Sequence, residues 1–238
     1  MFDEEIVNFV NTCYASLQEA EDILKKDSSL LIQTTTIDET PLVLLMRWYT
    51  EDKTTRNEYL NVVKLLLDYG SDVNANSCCG INPLHLAVSS GEIYIVKLLI
   101  EYHVDINISD GFLGQTALHC AIMSGNINMI QLLIDNGIDI DAVDDFGQTA
   151  LHSLVESDEK IDFTKLLIAS GANMHAFDEF GNTPLHNSCY ENAQITTIFL
   201  IENGADMYME NERGLIPLDA AYKEGNLELY HKLIDIAR

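Results

Sequence analysis

The sequence predicts an all-α solenoid of about seven stacked helix pairs joined by short β-hairpin-like fingers, and three observations carry the prediction. Four segments read nearly alike, INPLHLAVSSG, GQTALHCAIMSG, GQTALHSLVES and GNTPLHNSCYEN, with Asn82, Thr116, Thr149 and Thr183 in register at steps of 34, 33 and 34 residues. Within each copy, apolar residues recur at helical spacing in two short runs. Glycine, or one residue standing in for it, punctuates both runs at fixed places. A unit of about 33 residues cannot bury its own apolar face, so copies must stack on one another.

The first 37 residues lack the repeated box, yet EEIVNFVNTCYASLQEAEDILKK places apolar residues at helical spacing with a break near Ala15. Residues 1–37 therefore read as a degenerate N-terminal capping repeat, the form expected where a stack meets water. Residues 38–238 read as repeats ending in a C-terminal capping repeat, GLIPLDAAYKEGNLELYHKLIDIAR, the whole forming one continuous solenoid. In the copy opened by TPLVLLMRWY, Val43 stands where the others have His, and Asn82 follows Thr40 by 42 residues. About eight or nine residues are thus inserted relative to the period. The segment TEDKTTRNE, Thr50 to Glu58, is expected to form that polar loop. Smaller insertions fall near Asp158–Lys160 and near Gly111–Gly114, the second enlarging a finger.

The copy from Asp144 to Ala176 shows the unit most cleanly: a DDFG turn, a helix from Ala150, a second helix ending TKLLIASG, then an extended ANMHA. Leu151, Leu154, Val155, Phe163, Leu166 and Leu167 form its expected buried face. Gly70, Gly137, Gly171 and Gly204 follow the second helices, where a residue at positive φ closes the helix. His103 takes that place once, so its helix end is expected to be strained or differently closed. Between the paired helices stand Gly91, Gly125 and Gly225, replaced once by Asn192, which also tolerates the left-handed region.

The Thr-Pro-Leu-His box, the KLLLDYGSDVNA type of ending and the 33-residue step resemble the ankyrin repeat over about Asp38 to Arg238. The resemblance implies a helix pair followed by a finger, stacked into a curved array. It also implies that Thr and His of the box brace the turn by hydrogen bonds, with Pro opening the first helix. Members of that family typically bind through the finger tips and the ends of the first helices, on a concave side.

Thirteen Lys and Arg against 38 Asp and Glu give a net charge of −25, which excludes the basic footprint that nucleic-acid binding requires. The acidity serves either solubility or the steering of a basic partner. Cys13, Cys78, Cys79, Cys120 and Cys189 lack disulfide-framework spacing and suit a reducing compartment. The start MFDEEIVNFV is acidic where a secretory signal would be basic, and no apolar run is long enough to cross a bilayer. Cytoplasm or nucleus is the expected location, a secreted effector with a non-cleaved signal being the open alternative. No membrane contact is expected.

His85, His119, His152 and His186 form a ladder that suggests metal binding until the pitch is considered. Each sits in a different repeat, and packed helices lie about 8–10 Å apart, whereas zinc needs its nitrogens at about 2.0–2.1 Å. A structural role follows. Cys78 and Cys79 are adjacent, without Cys-x-x-Cys spacing, and read as exposed thiols. Asp139, Asp141, Asp144 and Asp145 lack the spacing and terminal Glu of an EF-hand. No phosphate-loop, nucleophile-elbow or zincin motif occurs, so no catalytic, cofactor or metal residue is assigned.

Carried over from the family resemblance, position by position, the partner-binding residues at the finger turns are Asp145, Phe146, Glu179, Phe180 and Glu212, with Phe177 just before a turn. Met123, Glu156, Tyr190 and Glu191 close the first helices, and Phe112 lies in the enlarged finger. Rings beside carboxylates suit a partner presenting Lys or Arg next to apolar groups; packing of Phe146, Phe177 and Phe180 between fingers is the structural alternative. The expected function is a non-enzymatic, monomeric adaptor presenting an acidic, aromatic surface to a basic or mixed basic-apolar protein segment. An acidic decoy of a nucleic-acid-binding protein and a substrate-recruiting subunit of an enzyme are the other readings carried.

Overall fold

The computed structural model describes residues 2–35, 38–48, 56–77, 80–155 and 157–237. The chain divides into two compact units, Met1–Phe112 and Leu113–Arg238.

In the first unit, α1 (Phe2–Ala15) pairs with α2 (Leu17–Lys26), α3 (Pro41–Trp48) with α4 (Arg56–Asp68), and α5 (Pro83–Ser89) with α6 (Ile93–Glu101). The chain breaks between α1 and α2 at Ser16, whose hydroxyl accepts from the Glu19 N–H as an N-cap. A 3-10 turn over Ser28–Ile32 follows α2. Helix α3 packs on α1 and α5, so first helices form one layer and second helices the other. Arg56–Glu58 belongs to α4, which corrects the expected loop at its C-terminal end. Thr50 and the rest of that insertion up to residue 55 lie outside the described residues, as do Cys78 and Cys79.

The second unit repeats the plan with α7 (Ala117–Met123) on α8 (Ile127–Asp135), α9 (Ala150–Leu154) on α10 (Ile161–Ala169), α11 (Pro184–Tyr190) on α12 (Gln194–Glu202), and α13 (Pro217–Lys223) on α14 (Leu227–Ile236). Seven helix pairs result among the described residues, as the sequence predicts. First helices stack directly, α7 on α9, α9 on α11 and α11 on α13.

The core lies between repeats. Leu118, Ala121 and Ile122 of α7 and Met129, Ile130 and Leu133 of α8 are almost wholly buried, each large apolar side chain contributing about 1.5–3 kcal/mol by burial. The expected face of α10 is corrected in part. Leu167 is buried but Phe163 and Leu166 are only half-buried, and the closed position goes to Thr164. Its hydroxyl donates to the Lys160 carbonyl, so a β-branched side chain of modest size fills the interface without an unpaired group. Helix α12 does the same with Thr197, which donates to Ala193 O and Ser188 Oγ.

The box residues build the turns as the resemblance implies. In three repeats the Thr N–H donates to the Nδ1 of the His three residues on, at 3.1–3.2 Å, and the Thr hydroxyl lies 2.9 Å from the same nitrogen. The other ring nitrogen reaches the next finger: Nε2 of His119 meets Gln148 O, that of His152 meets Asn182 O, and that of His186 meets Leu215 O, at 2.9–3.2 Å. Nδ1 as acceptor and Nε2–H as donor is the one neutral tautomer that satisfies all these partners. His119, His152 and His186 of the histidine ladder are repeat-to-repeat ties. In the last repeat Ile216 and Asp219 replace Thr and His, and the carboxylate takes the Ile216 N–H.

Fingers close through backbone and side-chain bonds together, the N–H groups of Asp144, Asp178 and Asn211 donating to Gln148 O, Asn182 O and Leu215 O. Asp144 Oδ1 accepts from the N–H groups of Phe146 and Gln148, Asp178 Oδ1 from Phe180 and Asn182, and Asn211 Oδ1 from Arg213 and Leu215. An antiparallel bridge, Val143 with Thr149, adds hairpin character to one of them. His103 adopts φ 61°, and its helix end is not differently closed. Its N–H bonds Ile100 O and the Val104 N–H bonds Leu99 O, as at the glycine-closed ends, so the anomaly is confined to backbone strain.

Candidate protein-binding surface

The predicted partner-binding residues at finger tips are set by backbone bonds between neighbouring fingers. The N–H of Asp145 donates to Leu113 O, that of Glu179 to Phe146 O, and that of Glu212 to Phe180 O, at 2.9–3.1 Å. Gly147 makes room for this approach. It sits at φ +71°, and a Cβ there would lie 2.9 Å from the Glu179 nitrogen. With their main chains tied in, the tips present their side chains. Phe146, Phe177 and Phe180 are 46%, 49% and 51% exposed, so packing between fingers consumes only about half of each ring.

Phe180, Tyr190 and Glu191 come together around one open depression of about 380 Å³. Gln148, Asp178, Asn182, Asn187 and Glu224 complete its lining. A smaller depression of about 150 Å³ adjoins it, sharing Phe180, Asn182 and Tyr190 and ending at Asn211 and Arg213. Asn211 Nδ2 donates to Asn182 Oδ1 at 2.8 Å and to the Tyr190 hydroxyl at 3.4 Å, which fixes the tyrosine against the floor. Asp178 spends both oxygens within its own finger, Oδ1 on the two backbone donors and Oδ2 on the Asn182 amide.

Asp145, Glu179, Glu191, Glu212 and Glu224 are exposed, and among the described residues none is in an ion pair. Met123 is 68% exposed at the end of α7. Phe112, 72% exposed, belongs to the unit Met1–Phe112, and Glu156 lies outside the described residues. Sequence reasoning missed the amides Gln148, Asn182, Asn187 and Asn211. Asn211 carried a usable signal, because it stands where Asp144 and Asp178 stand in the preceding repeats.

In the acidic stretch that lacks EF-hand spacing, two carboxylates accept from backbone N–H groups. Asp139 Oδ1 accepts from the Asp141 N–H and Asp141 Oδ1 from the Asn173 N–H. Among the described residues no group of three or more His, Cys, Asp or Glu is placed to hold a metal ion, and no helix is long and apolar enough to cross a membrane. Burial pushes the imidazoles of His152 and His186 below their ordinary value, partly offset by their bonds to Asn182 and Leu215 carbonyls. Burial also pushes the Cys189 thiol up to about 12, which leaves it unreactive. In the other unit, Glu4, Glu5, Asn8, Phe9, Thr12, Ile23 and Leu30 line a depression of about 420 Å³.

A family model for ankyrin repeats matches the chain in three overlapping copies, over residues 53–144, 103–178 and 151–237. The chain is similar to an ankyrin repeat protein of Rickettsia bellii (strain RML369-C), 42% identical over 59 residues, 24% of this chain and 25% of the relative. It is also similar to one of Rickettsia felis (strain ATCC VR-1525 / URRWXCal2), 41% identical over 63 residues, 24% of this chain and 27% of that protein. The matched stretch thus spans about a quarter of the length of either relative.

Proposed function

The chain belongs to the ankyrin repeat family, and from that premise we propose that it is a non-enzymatic protein-interaction module whose finger tips and first-helix ends take a basic or mixed basic-apolar partner segment. Ankyrin repeats are in general protein-interaction modules and typically lack catalysis. The observation that carries the finer reading is the depression where Phe180, Tyr190, Glu191 and Glu224 meet, with a half-exposed Phe180 ring, a partly buried Tyr190 and carboxylates in no ion pair among the described residues. Rings supply burial area, carboxylates supply charge-assisted bonds, and tips fixed by backbone bonds pay little ordering entropy on binding. In this reading the chain works as a monomer in the cytosol or nucleoplasm, where Cys13, Cys120 and Cys189 stay thiols.

The test is quantitative affinity capture with the full chain and with a Phe180→Ala, Glu179→Lys variant that retains its circular dichroism spectrum and melting temperature. A purified captured protein should bind the variant at least about tenfold more weakly, a loss of about 1.4 kcal/mol, and should bind the unaltered chain more weakly as salt rises. Equal affinity for both proteins would remove the finger tips from the interface.

A further inference from the structure

The depression around Phe180 and Tyr190 offers more than general acidity. Its volume of about 380 Å³ is near the bottom of the roughly 300–1,000 Å³ range of small-ligand pockets, which suits one long side chain rather than a cofactor. Its walls are the two rings. Its acceptors come from three places: Gln148 from a finger, Asn187 from within α11 with Glu191 at its C-cap, and Glu224 at the C-cap of α13. The side-chain amides of Gln148 and Asn187 are in no hydrogen bond, and Glu191 and Glu224 are in no ion pair, among the described residues. Asp178, both of whose oxygens accept within its own finger, adds negative charge to the lining.

No cation lines this depression, whereas the adjoining one ends at Arg213. Resting on the interaction-module reading, we propose that the larger depression is the anchor pocket for a single arginine side chain of the partner, with a non-basic residue beside it over Arg213. A guanidinium carries five donors in one plane and stacks on aromatic faces, so it can lie against Phe180 or Tyr190 while its edge serves acceptors from separate elements. An ammonium has three donors on a compact head and serves such a dispersed set less well. Arg213 repels a second cation, so the site selects an isolated arginine over a polybasic run.

The experiment selects a randomised linear peptide library against the full chain, then measures the enriched peptides against the unaltered protein and two variants, Glu191→Gln with Glu224→Gln, and Phe180→Ala. A Glu4→Gln, Glu5→Gln protein serves as control, and melting curves verify that all fold. Enriched peptides should share one fixed arginine. Its replacement by lysine should weaken binding about tenfold and by citrulline about a hundredfold, and the double variant should lose about tenfold or more while the control loses nothing. Peptides that bind without a fixed arginine, or equally well to both variants, overturn the anchor and leave the module reading standing. A polybasic consensus also overturns it, and a library that yields no binder overturns both.

Discussion

Asp158 caps a helix to which it does not belong, and removing its carboxylate isolates what a repeat insertion contributes. It sits in the 3-10 turn Asp158–Lys160, and its Oδ2 accepts from the Ile195 N–H at 3.1 Å while Oδ1 accepts from the Thr196 N–H at 2.8 Å. These are two of the donors that the first turn of α12 leaves open. The residue before that turn, Ala193, has no side-chain acceptor to offer these donors. Loss of an N-cap acceptor costs about 0.5–2 kcal/mol, and loss of a negative charge at a helix N-terminus about 0.3–1 kcal/mol. Ile195 is 60% exposed, so water can replace its bond, whereas Thr196 is fully buried and its N–H would be left poorly served.

Asp158→Ala is therefore expected to cost about 2 kcal/mol, and Asp158→Asn, which keeps one oxygen but no charge, about 1 kcal/mol. For a chain of this size that is about 4–8 °C in melting temperature for the alanine variant. Because stacked repeats can lose two-state behaviour, hydrogen exchange gives the sharper readout. The Thr196 amide should exchange about thirtyfold faster if opening becomes 2 kcal/mol easier. A melting temperature within about 1 °C of the parent, together with unchanged Thr196 protection, would falsify the cross-repeat cap.

Two further outcomes follow from the repeat-to-repeat ties and the helix ends. His152 and His186 are held neutral, with folded-state values depressed by burial, so below about pH 6.5 the unfolded chain binds more protons than the folded one. Stability should be complete above that pH and fall as the pH drops below it toward the folded-state values. Urea midpoints at stepped pH check this, and His152→Asn with His186→Asn should flatten the slope; an unchanged slope would contradict the assignment. At the end of α6, His103→Gly should relieve the strain of φ 61°. A left-handed residue costs about 1–2 kcal/mol and glycine returns about 0.5–1 kcal/mol as unfolded-state entropy, so a net gain of about 0.5 kcal/mol is expected. A lowered urea midpoint would show that His103 contributes contacts outweighing its backbone.

The fold was legible because a repeat states its own register several times over. Thr116, Thr149 and Thr183 each announce the same cap, and substitutions such as Asn192 at φ 57° confirm the position they replace. What the sequence could not announce depends on neighbours distant along the chain. Asp158 reads as a small insertion, and nothing near it indicates that Ile195 and Thr196, 37 and 38 residues on, depend on it. The apolar pattern of α10 assigned Phe163 and Leu166 to the core, but the fully closed positions go to Thr164 and Leu167, a matter of facing volumes as well as hydrophobicity. Of the candidate site, the rings and carboxylates were legible as departures from the repeat. The amide floor was not, because Asn182 and Asn211 matter through a bond between them that links two repeats.

The same distinction bears on the acidity. Asp72, Asp105, Asp139, Asp141, Asp144, Asp178 and Asp206 each accept from backbone N–H groups, and Asp141 accepts from a residue of the following repeat. Asn74 fills the same place for Asp105, so the carboxamide serves the scaffold as well as the carboxylate does. These aspartates owe their positions to turn geometry, yet their charge remains in the long-range field that steers an approaching partner. The net charge of −25 thus mixes scaffold charges, which can act on association rate, with Glu179, Glu191, Glu212 and Glu224, whose oxygens are open for contact. Salt dependence alone reports their sum. In the proposed complex, dissociation of a bound segment would depend on the few that touch it, and on Phe180 and Tyr190, which line the same depression as Glu191 and Glu224.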